Sequence, residues 1–234
     1  CEPSDAAAVL AAAPAGEDKT KDLASTYYDT PDGALKKAGV SLRLRESGGA
    51  WVQTLKRGDG FAREEHEVPV ADGRLDFAMP ALAECLKPGR FADLAPAFTV
   101  QVTRQQRTFA YGDAEIEMAV DQGEILGGGR RRAICEVELE LIAGDCKRLF
   151  DVARQLARTA PLYLSFEGKS AQGRALVAGA ERRPRKYAGV RLNANMTAAR
   201  AFQAIVREAL AQVAANAQLL RMSDDRSEER RVGK

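Results

Sequence analysis

In Ala133-Ile-Cys-Glu-Val-Glu-Leu-Glu-Leu-Ile142, apolar and acidic residues alternate from Cys135 to Leu141. Side chains two apart on a strand share a face, so Glu136, Glu138 and Glu140 stand opposite Cys135, Val137, Leu139 and Leu141. A strand over 133–142 therefore carries three carboxylates in file. The same period of two runs through Val40–Glu46, Trp51–Lys56, Arg63–Val70, Phe98–Phe109 and Glu115–Asp121, and predicts a sheet. Gly48-Gly49 is a turn signal between the first two of these.

Charge is sorted along these strands. Arg43 and Arg45 oppose Val40, Leu42 and Leu44, while Glu115, Glu117 and Asp121 oppose Ile116, Met118 and Val120. Arg63, Glu65 and Glu67 make another row, and Thr54 with Lys56 a shorter one. One charged row is commonly a solvated face. Several rows of segregated sign are costly side by side, because like charges facing one another repel. Divalent cations would neutralise the carboxylates, and a polyphosphate the Arg and Lys rows. Helices expected over Asp5–Ala13, Thr30–Gly39, Arg74–Leu86 and Asp145–Arg158 can cover the apolar faces. If the sheet closed, the charged faces would line a barrel interior, where each charge acts more strongly. Parity alone does not require closure.

Composition narrows the classes. The 234 residues are 45% hydrophobic and 29% charged, with a net charge of only +2, so a basic site must be local. No nucleic-acid partner is expected. Cys1, Cys85, Cys135 and Cys146 lack metal-ligand spacing and read as reduced thiols of a cytoplasmic protein. His66 is the only histidine, and it is assigned no catalytic role. No apolar run approaches the roughly 18 residues that span a bilayer, and no signal peptide is recognised.

Further along, Gly179–Asn195 contains Pro184, Gly189 and a basic cluster, and reads as a linker. Thr197 then caps a long helix with Phe202, Ile205, Val206, Leu210, Val213 and Leu220 on its apolar side. The run Arg226–Lys234 resembles the translation of an adaptor oligonucleotide and is set aside from the fold. The chain is expected to be a fragment of a longer protein.

Tyr27-Tyr-Asp-Thr-Pro-Asp32, Leu42-Arg-Leu-Arg45, Gln53-Thr-Leu-Lys56, Arg63, Glu65, Glu67, Arg104, Glu117, Asp121, Gly123, Glu136-Val-Glu-Leu-Glu140 and Lys169-Ser-Ala-Gln-Gly173 occur in this order. Together they resemble the CYTH domain of the triphosphate tunnel metalloenzymes. The resemblance implies an α+β fold, an eight-stranded antiparallel β-barrel with helices outside, and metal-dependent hydrolysis of a triphosphate. It casts Arg43, Arg45, Lys56, Arg104 and Lys169 as phosphate ligands, with Lys56, Arg63 and Lys169 as the catalytic set. It casts Glu136, Glu138 and Glu140 as the metal-facing strand and Glu65, Glu67 and Glu117 as further metal candidates. The implied cofactor is Mg2+, with Mn2+ an alternative.

The family's N-terminal Glu-x-Glu-x-Lys strand has no counterpart, since Glu17-Asp18-Lys19 is wrongly spaced. That strand is expected to precede Cys1. Met196-Thr-Ala-Ala, Ala201-Phe202 and Ala214-Ala-Asn216 resemble the opening helix of a CHAD domain, a polyphosphate-associated family. The implied division is a CYTH domain over 1–180, a linker over 181–195, a first CHAD helix over 196–225 and a tail over 226–234. That pairing favours inorganic triphosphate (tripolyphosphate) as substrate. Thiamine triphosphate, RNA 5′-triphosphate, ATP cyclisation and a non-catalytic polyphosphate-binding module stay open, as does the oligomeric state.

Overall fold

The computed structural model describes residues 1–58, 63–165, 167–179 and 184–222. The chain forms two compact units, one of Cys1–Leu162 with Glu167–Gly179, the other of Tyr163–Phe166 with Ala180–Lys234. In chain order the first contains α1 (Ala6–Ala12), β1 (Glu17–Asp29), α2 (Ala34–Lys37), β2 (Val40–Ser47), β3 (Ala50–Arg57) and β4 (Glu64–Val70). Then come α3 (Pro80–Cys85), β5 (Ala95–Tyr111), β6 (Ala114–Gly127), β7 (Arg130–Ala143), α4 (Lys147–Leu156) and α5 (Lys169–Ala178). Among the described residues the strands form one seven-stranded antiparallel sheet, in the order β4-β3-β2-β1-β5-β6-β7.

Local chemistry explains the turns. Gly48 and Gly49 both have positive φ, 58° and 83°, the backbone that a two-residue hairpin between β2 and β3 needs. After β1, the Asp29 carboxylate accepts from the backbone N–H groups of Thr30, Leu35 and Lys36 at 2.8, 2.9 and 3.1 Å. Thr30 Oγ1 accepts from Ala34 N at 2.9 Å, but the cap position of the helix is Gly33 and not Thr30. The helix is shorter than expected: Pro31-Asp32 forms a turn, and Gly33 at φ 69° precedes α2.

The outward face of the sheet is apolar. Val40, Leu42 and Leu55 pack with Leu35 of α2 and Leu82 of α3. Ile116, Met118 and Val120 pack with Val9 of α1 and Val152 and Leu156 of α4. On the other face, Leu23, Tyr27, Phe98, Val100, Val102, Ile125 and Ile134 form a separate cluster, with Leu176 of α5 against it. Tyr27 stacks on Phe98 with ring centroids 4.6 Å apart.

Three departures from the sequence expectation stand out. Strand β1 was not foreseen: Glu17–Asp22 is exposed and charged on both parities, and its ladder to β5 makes it a strand. Helix α5 was not foreseen either, because Gly173 interrupts it at a cost of about 1 kcal/mol relative to alanine. Of Arg74–Leu86, only Pro80–Cys85 is helical. The side chain of Gln53 holds the preceding loop extended, donating to Asp76 O at 3.0 Å and accepting from Asp76 N at 2.7 Å.

The second unit contains α6 (Ala198–Met222). Thr197 Oγ1 accepts from Arg200 N at 3.3 Å, as a capping residue does. Phe202, Leu210, Val213 and Leu220 are exposed. Arg185, within the expected linker, bonds to Glu208 and Asn216 of α6. Residues 226–234 lie outside the described residues.

Candidate functional site

The strand registers bring the sorted rows onto one face. Glu65 stands opposite Lys56, Glu67 opposite Thr54, and Thr54 opposite Arg43. Arg43 continues to Tyr27 and Arg45 to Ser25. Across β5, Arg104 faces Asp121, which faces Glu136, while Glu117 faces Glu140 and Ala119 faces Glu138. Arg63 approaches from the residue before β4, with its guanidinium 3.2 Å from where a Cβ on Gly168 would lie. Lys169 follows Gly168 and opens α5. The strand-borne residues singled out in the sequence thus share one face, opposite Leu42, Leu44, Val137 and Leu139.

That face is not a solvated surface at its centre. Leu42-Arg43-Leu44, Gln53-Thr54-Leu55 and Met118–Asp121 are buried on both parities. Charges held there must be matched locally, since buried unpaired charge is expensive.

The acidic side is matched by the protein itself. Arg104 grips Asp121 with two bonds of 2.7 Å and reaches Glu138 at 2.8 Å. Lys169 Nζ lies 2.9 Å from Asp121, 2.9 Å from Glu136 and 2.7 Å from Glu138. Gln172, one turn along α5, donates to Glu136. Burial raises the Asp121 and Glu138 carboxyls, but Arg104 and Lys169 more than offset it and hold both below their usual range. Burial opposes the Lys169 charge, yet Glu138, Glu136 and Asp121 drive its pKa well above that of an ordinary lysine.

The basic side is matched poorly. Arg43 Nε is buried without a hydrogen-bond partner, and its Nη2 is 3.8 Å from both Glu65 and Glu67. Arg45 Nε donates to Ser25 Oγ at 3.3 Å. Burial, then repulsion from Arg43 and Arg104, push the Arg45 guanidinium down to about 10. Guanidinium groups short of acceptors have N–H donors that an anion can take. Lys56 pairs with Glu65 at 2.8 Å, and Thr54 Oγ1 donates to Glu67 at 2.8 Å.

The carboxylates do not form one cluster. Glu65 and Glu67 engage Lys56, Arg43 and Thr54, whereas Glu136 and Glu138 engage Lys169. Among the described residues no three His, Cys, Asp or Glu side chains are arranged to hold a metal ion. The donor set is nevertheless chemically suited to a hard divalent cation, since every donor is a carboxylate oxygen. Glu117 and Glu140 are direct cross-strand partners of like charge, although Glu117 also accepts from Gln106 at 2.6 Å. Two polar residues were not assigned roles from sequence. Asp121 is fully buried, and its link to Arg104 is a long-range register contact. Gln172 lies three residues after Lys169, so helical spacing would have placed it beside that lysine had α5 been recognised.

Comparison with known proteins fits this geometry. The family model described as the CYTH domain matches residues 3–173. Inorganic triphosphatase of Haemophilus influenzae is 29% identical over 161 residues, which cover 64% of this chain and 45% of that protein. The chain thus spans less than half the length of that curated relative. A candidate adenylyl cyclase from Hippeastrum, described as having a dominant triphosphatase activity, superposes with a TM-score of 0.52 at 17% identity. That match covers 75% of this chain and 91% of the other. A candidate adenylate cyclase from Bacillus halodurans matches with a TM-score of 0.49 at 18% identity, over 65% and 82% of the two chains. The chain belongs to the CYTH domain family.

Proposed function

We propose that this CYTH-domain chain carries the site of a divalent-metal-dependent triphosphatase whose substrate is inorganic triphosphate. One observation carries the reading. Arg43 is buried and Arg45 partly buried, and both are short of hydrogen-bond partners on the same face that carries Asp121, Glu136 and Glu138. A chain of phosphates supplies what these guanidinium groups lack, and a cation supplies what the carboxylates accept.

In this reading Arg43, Arg45 and Arg104 orient the anion through N–H···O bonds, and Lys56, Arg63 and Lys169 hold charge on the phosphoryl group under attack. Water adds to the terminal phosphorus as the bridging P–O bond breaks, releasing phosphate and pyrophosphate. Glu136, Glu138 and Glu140 would hold Mg2+ or Mn2+, with Glu117 beside them. When bound, the ion neutralises phosphate charge and orients water. The relative from Haemophilus influenzae supports inorganic triphosphate as the substrate, as does the CHAD-like pattern of Met196–Asn216. A non-catalytic polyphosphate-binding module is the second reading, favoured by the engagement of Glu136 and Glu138 with Lys169.

The test is phosphate release from inorganic triphosphate, ATP and thiamine triphosphate, with and without Mg2+. Metal-dependent release, greatest with inorganic triphosphate, is expected. Tight anion binding without turnover would favour the binding module, and turnover without any divalent ion would overturn the mechanism.

A further inference from the structure

Lys169 occupies a position unlike that of Arg43 and Arg45 on this face. Arg43 and Arg45 are short of partners, whereas the Lys169 ammonium has three carboxylates within 2.9 Å. The ammonium donates to Glu138 Oε1 at 2.7 Å and forms ion pairs with Asp121 and Glu136. The side chain is 9% exposed, so little water competes for it. Glu136 is held further by Gln172 from the next turn of the same helix. The start of α5 thus seats a positive charge among the acidic residues that the proposed function assigns to a cation.

We infer that Lys169 is a built-in counter-ion that closes the carboxylate cluster in the ligand-free protein, and that a polyphosphate opens it by drawing the ammonium away. The inference rests on the proposed function and adds regulation of the same site. Without an anion, a divalent ion must displace the ammonium from Glu136 and Glu138 and leave it buried with Asp121 as its one remaining carboxylate, which is costly. With an anion in place, phosphate oxygens give the ammonium new acceptors and Glu136 and Glu138 become free. Cation and anion then bind with positive coupling, which is reciprocal by linkage. The partner-poor Arg43 and Arg45 already favour anion entry, so the anion is the half of the pair that the ligand-free protein is prepared to accept.

The test uses the full chain, Mn2+ followed by electron paramagnetic resonance, and the bis-methylene analogue of tripolyphosphate, which water does not cleave. In the wild type, Mn2+ should bind weakly alone and about tenfold or more tightly with the analogue, a coupling of ordinary allosteric size. Lys169→Met should bind Mn2+ alone more tightly than the wild type does, and the gain from the analogue should shrink. Lys169→Arg keeps the charge and should retain weak entry of Mn2+ alone, so it serves if Lys169→Met does not fold. Equal Mn2+ affinity with and without the analogue in the wild type, or unchanged Mn2+ affinity in Lys169→Met, overturns the inference while leaving the triphosphatase reading intact. Failure of the wild type to bind either Mn2+ or the analogue overturns both.

Discussion

Arg104 holds Asp121 through two parallel bonds of 2.7 Å across the β5–β6 ladder, and Asp121 has no exposed side-chain surface. This pair is the point around which the acidic side is built, because Lys169 and Glu138 both converge on it. Breaking one partner of a buried pair typically costs about 3–5 kcal/mol, since the remaining charge stays buried. Asp121→Asn should therefore lower the urea midpoint substantially. It should also weaken the hold on Lys169, which keeps only Glu136 and Glu138. An unchanged midpoint would mean that Glu136 and Glu138 suffice to compensate Arg104 and Lys169.

Gly173 supplies a second, purely steric prediction. A Cβ at this position would lie 2.1 Å from the Phe98 ring, and Phe98 is itself stacked on Tyr27. Helix propensity alone would favour alanine by about 1 kcal/mol. Overpacking of a filled core costs about 1–3 kcal/mol, so Gly173→Ala should destabilise despite its better propensity. Because α5 carries Lys169 and Gln172, the same change should weaken anion binding. A more stable variant with normal binding would show that the ring moves aside freely.

These two contacts show why parts of the site were legible and others were not. Glu136, Glu138 and Glu140 could be read because Cys135, Val137, Leu139 and Leu141 between and beside them are apolar and pack outward. Arg43 and Arg45 could be read against Leu42 and Leu44 for the same reason. Strand β1 has no such alternation over Glu17–Asp22, and only hydrogen bonding to β5 defines it. The grip of Arg104 on Asp121 and the reach of Lys169 to Glu136 depend on register and on a helix broken by glycine in the sequence. Neither is encoded in any short window.

Acid should dismantle the acidic side in a defined interval. Asp121 starts from an ordinary value of 3.8 and Glu138 and Glu65 from 4.5, and all three are lowered in the folded protein. A lowered folded pKa means that the unfolded chain binds more protons, so the contribution to stability is present above the unfolded value. It is lost as pH falls through the lower, folded value. Urea midpoints should therefore change little from neutral pH down to about 5 and fall below roughly 4.5. Asp121→Asn should flatten part of that fall. A midpoint independent of pH down to 3 would show that these carboxylates are not held as ion pairs.

Arg45 offers the sharpest separation of stability from binding. Its guanidinium is largely buried, has one hydrogen bond of 3.3 Å to Ser25, and is repelled by Arg43 and Arg104. Such a charge weakens the ligand-free fold. Replacing a poorly compensated buried charge by an apolar side chain of similar length is often neutral or stabilising. Arg45→Met should therefore keep or raise the melting temperature of the ligand-free protein, by about 2–4 °C for each kcal/mol gained. The same change removes a charged contact to phosphate, worth about 1.5–3 kcal/mol or one to two decades in affinity. Thermal melts with and without tripolyphosphate read both effects in one experiment: the ligand-free curve should move up or stay, and the ligand-induced shift should collapse. A lower melting temperature together with an undiminished ligand shift would make Arg45 a structural residue and remove it from the anion site.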